Sequence, residues 1–241
     1  MHIVGDQELD MSEPLWRYFK TERFIDLLQS KQLYFASARQ FEDPFEGAVA
    51  VLPPGFPVDP RYATQESGDQ AFEELRRLTK ISCWHRASYE SDAMWQLYAG
   101  LRKGVAVRTS PERITSAIKP FRLKPEYGDE ALWMGNVRYL DLLKVRLNVG
   151  MEERFWYKHM AFAWEQEFRL AISVRMAEEF SVSVPERGIK VDVDIPALVE
   201  KVYLGPSLTE IDSTAIRSAL KAHGLEDRIR VSSMLGTPRY V

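Results

Sequence analysis

Apolar positions recur with two periods along this chain of 241 residues. Short apolar or alternating runs predict strands, and a return every three or four positions predicts helices. Leu15-Trp16-Arg17-Tyr18-Phe19 reads as a first strand. Thr21 stands where a side chain can cap a helix from Glu22 to about Ser30, with Phe24, Leu27 and Leu28 at helical spacing. Leu33-Tyr34-Phe35-Ala36-Ser37 predicts a second strand, and the Asp43-Pro44 step predicts a loop, since helix is disfavoured just before proline. Residues 51–68 carry Pro53, Pro54, Pro57 and Pro60 and read as a Pro-rich loop or lid. Residues 71–78 predict a short amphipathic helix and 81–85 a buried strand. Ser91 or Asp92 starts a helix holding Met94, Trp95, Leu97 and Tyr98 that ends near Gly100.

Farther on, residues 104–108 predict a strand, and Ser110-Pro111 restarts helix with proline in the first turn. Residues 136–142 alternate as a strand does, and the aromatic-rich stretch 151–163 predicts a helix. Strands are expected over 168–174, 189–193, 201–204 and 228–232. The clearest helix runs from Thr209 to His223, with Gly224 in the C-terminal capping position. There is no repeat, no separating linker and no regular βαβ alternation. The chain therefore predicts a single α+β domain over residues 1–241, with a mixed, bent sheet flanked by helices.

Composition narrows the class. Hydrophobic residues make up 45% and charged residues 28%, which fits a globular core and argues against disorder. Lys plus Arg is 32 and Asp plus Glu is 35, a formal charge of −3, so the basic excess of a duplex-DNA binder is missing. Arg76, Arg77 and Lys80 still offer a local basic patch. The one cysteine, Cys83, excludes an internal disulfide framework and points to a reducing, cytoplasmic setting. The first eleven residues carry acids and no apolar run, so no signal peptide is expected there, and no stretch reaches a membrane-spanning length.

Several polar groups carry candidate chemistry. Glu165, Glu167 and Arg169 alternate, which places them on one face of a strand with Trp164, Gln166, Phe168 and Leu170 on the other. Such carboxylates either support positive charge developing at a sugar carbon or form a Glu-Arg ladder that stabilises a sheet. Arg17, among Trp16, Tyr18 and Phe19, either offers its planar fork to a phosphate or carboxylate or pairs with a glutamate. Asp43 and Glu46 read as a turn with a capping aspartate, with magnesium binding beside Glu165 or Glu167 as the alternative. Met94, Trp95 and Tyr98 read as core or as the wall for a flat ring. Cys83 and His85 share a strand face and read mainly as core. The sequence leaves His159 open between general base and half-exposed surface residue.

Four segments in order carry a family resemblance. They are Leu15-Trp16-Arg17-Tyr18; the run from Leu33 to Ser37 with Asp43-Pro44-Phe45-Glu46; Met94-Trp95-Gln96-Leu97-Tyr98 with Lys103-Gly104-Val105; and Trp164 to Leu170. In this order they resemble the bacterial domain of unknown function 2971 family, over roughly residues 15 to 205. Glu42 stands where members usually carry Asn or Asp, and His85 where they often carry Ser. The resemblance implies a bacterial protein of phage-related or defence loci. A second, shorter pattern is similar to the ADP-ribosyltransferase superfamily: an early Arg, a Ser on the next strand and a late Glu-x-Glu. It implies a transferase or glycohydrolase that uses NAD as substrate and needs no metal. Arg17 would bind the pyrophosphate or ribose, Tyr34 or Tyr98 would stack on nicotinamide, and Ser37 would support the site. Glu167 would be the catalytic carboxylate, and Glu165 would orient a protein or nucleic-acid acceptor. The alternatives are a non-catalytic module that binds a nucleotide or a protein, and a metal-dependent nuclease.

Overall fold

The structure, a computed structural model, describes residues 1–5, 7–50, 57, 60–61 and 64–235. Most of the Pro-rich stretch at 51–68 lies outside the described residues, but from Gln65 onward it is helix. In chain order the first elements are β1 (His2–Ile3), β2 (Leu15–Phe19), α1 (Thr21–Ser30), β3 (Gln32–Ser37), α2 (Gln65–Leu78) and β4 (Thr79–Arg86). Next come α3 (Asp92–Tyr98), β5 (Val105–Thr109), α4 (Pro111–Ala117), β6 (Leu132–Asn136), β7 (Arg138–Leu140), β8 (Tyr157–His159) and β9 (Glu167–Ser173). The last are α5 (Arg175–Glu179), β10 (Gly188–Asp192), α6 (Ile195–Leu198), β11 (Lys201–Leu204), α7 (Glu210–Ala222) and β12 (Ile229–Val231). The chain is α+β, with strands paired both parallel and antiparallel. None of its described helices is long and apolar enough to cross a membrane.

Closeness in space divides the chain into two compact units, each made of three separate segments. One comprises Met1–Leu9, Tyr34–Cys83 and Pro120–Lys190; the other comprises Asp10–Leu33, Trp84–Lys119 and Val191–Val241. In the first unit β9 lies between β6 and β4, and β1 adds parallel to β6. Six of the seven residues of β9 are buried, so both of its faces are covered. Phe168, Leu170 and Ile172 project to one face, and Glu167, Arg169 and Ala171 to the other. The apolar cluster of this unit joins Val4, Ala38, Ile81, Val137, Phe155, Trp156 and Ala171. Gly135 stands opposite Arg169 on β6, where a Cβ would come 2.4 Å from Val4.

Two expectations change here. The stretch 151–163 is not a helix: it forms a 3₁₀ turn (Glu153–Trp156), the strand β8 and a second 3₁₀ turn (Met160–Glu165). Pairing decides this, because β8 runs parallel to β7 with Lys158 opposite Tyr139, and that ladder overrides local helix preference. The helix expected at 71–78 starts six residues earlier. Thr64 accepts from the Ser67 N–H, and the Ser67 hydroxyl accepts from the Thr64 N–H, a reciprocal cap.

In the second unit β2 pairs antiparallel with β5 and with the end of β4, β5 pairs antiparallel with β11, and β12 adds parallel to β11. Trp16, Tyr18, Met94, Trp95, Ala99 and Ala106 form an apolar cluster. Thr21 is not the cap of α1: it is the first helical residue, Lys20 is the N-cap, and the Thr21 hydroxyl donates to the Lys103 carbonyl. Helix α7 follows its expected course, capped by Thr209 and closed by Gly224 at φ +67°. Gly104 lets two backbones touch, since a Cβ there would fall 2.0 Å from the Phe19 carbonyl oxygen. Gly104→Ala should therefore destabilise the protein by about 3 kcal/mol, as overpacked sites do. Denaturant unfolding checks this, and an unchanged midpoint would refute the close approach.

Candidate functional site

Both late glutamates lie in the first unit, but not as a simple strand face. Glu165 ends the 3₁₀ turn, Gln166 adopts a left-handed conformation at φ +46°, and β9 begins only at Glu167. This corrects the expected alternation across 165, 167 and 169. The left-handed residue turns the chain so that two carboxyls separated by one residue reach the same ammonium. Lys158 Nζ on β8 donates to Glu165 Oε2 and, at 2.9 Å, to Glu167 Oε1.

Arg169 closes the other side. Its Nε donates to Glu167 Oε2 at 2.5 Å, and its two terminal nitrogens grip Glu46 at 2.6 and 2.9 Å. One of those nitrogens also donates to the Phe155 carbonyl at 2.6 Å. Glu46 and Arg169 are each 1% exposed, and Lys158, Glu165 and Glu167 are 6–7% exposed. Three carboxyls therefore face two cations in a setting nearly free of solvent. The Tyr139 hydroxyl accepts from the Glu167 N–H at 2.7 Å. Phe41 lies under the Arg169 guanidinium at 5.7 Å, and Phe162 lies 4.5 Å from Lys158 Nζ. Trp164, the neighbour of Glu165, is exposed.

The arrangement separates the two carboxyls chemically. Burial pushes Glu165 up to about 8, helped by the hydrogen bond and the charge of Glu167. Burial also works against ionised Glu167, yet Arg169, the Glu165 hydrogen bond and Lys158 hold it well below the usual range. Burial pulls the Lys158 ammonium down, but Glu167 and the two hydrogen bonds hold it above its ordinary value. Burial raises Glu46 as well, against the pull of Arg169. Both Glu46 oxygens accept from the arginine fork, whereas Glu165 meets the Lys158 ammonium through Oε2. Neighbouring carboxyls driven apart in this way are the pattern of an acid–base pair.

The other expected site residues are spread over the chain. Ser37 is buried, and its hydroxyl bonds the carbonyls of Arg76 and Arg77 at the end of α2, each at 3.1 Å, so it braces a helix terminus. The Tyr34 hydroxyl donates to the Arg187 carbonyl at 2.9 Å and accepts from Gln40 at 3.2 Å. Arg17 and Tyr98 belong to the second unit. There the Arg17 guanidinium lies 5.4 Å from the Phe19 ring and 5.5 Å from the Trp84 ring, and Tyr98 ends α3 half-exposed. Cys83 is adjacent enough to the charge cluster to feel Glu167, and burial pushes its thiol up. The His159 Nδ1 accepts from the Ala161 N–H at 3.2 Å, and its ring stacks on Phe45 at 5.1 Å. No group of three or more His, Cys, Asp and Glu side chains among the described residues is placed to hold a metal ion.

Sequence reasoning passed over Lys158. A signal was available: clustered glutamates on a buried strand require a second cation beside Arg169. No protein-family model matches the chain, and no curated protein matches it.

Stability should report the retained proton. Glu165 binds its proton more tightly folded than unfolded, so its contribution is complete below the ordinary glutamate range, about 4.3. It is lost as pH rises toward about 8. Glu46 acts with the same sign, whereas the Glu167 contribution is complete above that range and is lost only in acid. The Tm should fall from pH 5 to pH 7, and Glu165→Gln should shrink that fall. Equal slopes in the two proteins would show that Glu165 ionises normally.

Proposed function

We propose that the chain is an NAD-using glycohydrolase or transferase whose reacting carboxyl is Glu165. The observation that carries this reading is the pair itself: Glu165 and Glu167 converge on one buried ammonium with opposite proton affinities. A base with affinity near the working pH transfers protons most effectively. In the reaction, the C1′–N bond to nicotinamide breaks and its electron pair returns to the pyridinium ring, which leaves neutral. Water or an acceptor hydroxyl bonds to C1′, and its proton passes to Glu165. Glu167 has each oxygen held by a different cation, so it serves as the brace that sets Glu165 in place. This exchanges the roles that the resemblance implies for the two residues. When Glu165 is ionised, three carboxylates face two cations, and the remaining negative charge favours an oxocarbenium-like transition state. The half-buried Phe162, 4.5 Å from Lys158 Nζ, and the exposed Trp164 supply aromatic rings in the same segment.

The test is nicotinamide release from NAD by the purified protein. Wild type should turn over with a rate that rises to about pH 8, as Glu165 loses its proton. Glu165→Gln should lose about 10²-fold or more in kcat, the usual contribution of a positioned acid–base group. Turnover unaffected by that substitution would end the proposal.

A second reading has its own support. Both oxygens of Glu46 and of Glu167 accept hydrogen bonds from buried cations, the pattern of a network that fixes structure. On that reading the chain is a non-catalytic module for a nucleotide or protein. It predicts that NAD raises the Tm without any nicotinamide appearing.

A further inference from the structure

Glu46 reaches the cluster from far away in sequence, 123 residues before Arg169. The turn that carries it is built for that placement. Asp43 accepts from the Phe45 N–H at 2.8 Å, and the Glu46 N–H donates to the Asp43 carbonyl at 3.1 Å. Gly47 takes φ +76°, and a Cβ there would lie 2.6 Å from the Phe155 ring. The Phe45 ring is fastened separately, against His159. Gly47 is thus needed for both its conformation and its closeness, and the turn presents a carboxylate to an arginine that already holds Glu167.

We propose that Glu46 is a positioning residue: by occupying both terminal nitrogens of Arg169 it leaves Glu165 and Glu167 to share the single ammonium of Lys158, and so keeps one proton on Glu165. Charge balance carries the argument. Lys158 and Arg169 are the two cations, and Glu46, Glu165 and Glu167 are the three carboxyls. An uncompensated buried charge is costly, so the set retains a proton and becomes neutral. Other titratable groups lie in or beside the segments that carry the set. Burial keeps the Tyr139 phenol and the Cys83 thiol neutral. Asp43 Oδ1 accepts within its own turn, and the His159 ring has Ala161 N–H on Nδ1 and the Asp141 carboxylate 3.9 Å from Nε2. With Glu46 made neutral, two carboxylates would balance two cations, and only burial and the neighbouring Glu167 would still favour the proton on Glu165.

This inference rests on the acid–base reading above, and a direct titration separates the two. The protein carries ¹³C-labelled glutamate side chains, and the Glu165 carboxyl signal is assigned by its loss in Glu165→Gln. In wild type the midpoint should lie near 8. In folded Glu46→Gln it should fall clearly below the wild-type value. The rising limb of NAD turnover should move to lower pH with it. A folded Glu46→Gln protein whose Glu165 still titrates near 8 would overturn the inference and leave the acid–base reading standing. A wild-type midpoint in the ordinary range would remove the acid–base reading and the inference together. Should Glu46→Gln fail to fold, Lys158→Met decides. With one cation gone the same balance requires the Glu165 midpoint to rise above its wild-type value, and an equal or lower midpoint overturns the proposal.

Discussion

An arginine held at 1% exposure sets the terms for the first unit. A buried guanidinium must be met by anions and acceptors on every side, or its desolvation is not offset. Arg169 meets that demand with Glu167 from its own strand, Glu46 from a distant turn and the Phe155 carbonyl from the 3₁₀ turn that precedes β8. Satisfying one cation thereby ties three separate segments together. It also concentrates negative charge, which calls in Lys158, which in turn draws Glu165 off the end of the second 3₁₀ turn. The irregular stretch before β9 follows from this chain of demands. A regular helix across residues 151–163 would not present Lys158 from a strand paired with β7.

Much of the fold was legible because apolar spacing reports burial directly. Trp16 and Tyr18 on β2, Phe24, Leu27 and Leu28 on α1, and the Gly224 that closes α7 all sit where their pattern places them. What sequence spacing does not contain is long-range pairing. The parallel partner of β8 lies about twenty residues earlier in β7, and no local signal in the aromatic run 151–163 announces it. The left-handed Gln166 was equally hidden, because strict alternation across Glu165, Glu167 and Arg169 looks the same whether one strand or a bend connects them.

The candidate site was legible in its residue types and illegible in its protonation. The Glu-x-Glu-x-Arg pattern marked the segment that carries two of the buried carboxyls and their arginine, and Asp-Pro-Phe-Glu marked the turn that delivers Glu46. Neither pattern could show that the two converge, since the link is made by two terminal nitrogens of one arginine across 123 positions. Ser37 illustrates the opposite limit. Its position one strand after Arg17 matched a catalytic pattern, yet its hydroxyl is spent on the end of α2. A short hydroxyl near a helix terminus is drawn to the unpaired carbonyls there, and that local demand outranks a motif.

The same logic bears on which glutamate can react. A carboxylate whose two oxygens are each fixed by a cation has little free charge or basicity to offer a substrate, however well it is placed. A neighbour that retains a proton has both a transferable proton and, once it is lost, an unbalanced charge. Glu167 is the first kind and Glu165 the second. Reactivity in such a cluster belongs to the group that the charge balance leaves over. The strongly held members fix where that group is and how tightly it binds its proton. On the proposed reading, an acid–base site is built almost entirely of residues that never touch a substrate, and its reacting member is the one that the charge count of its neighbours leaves over.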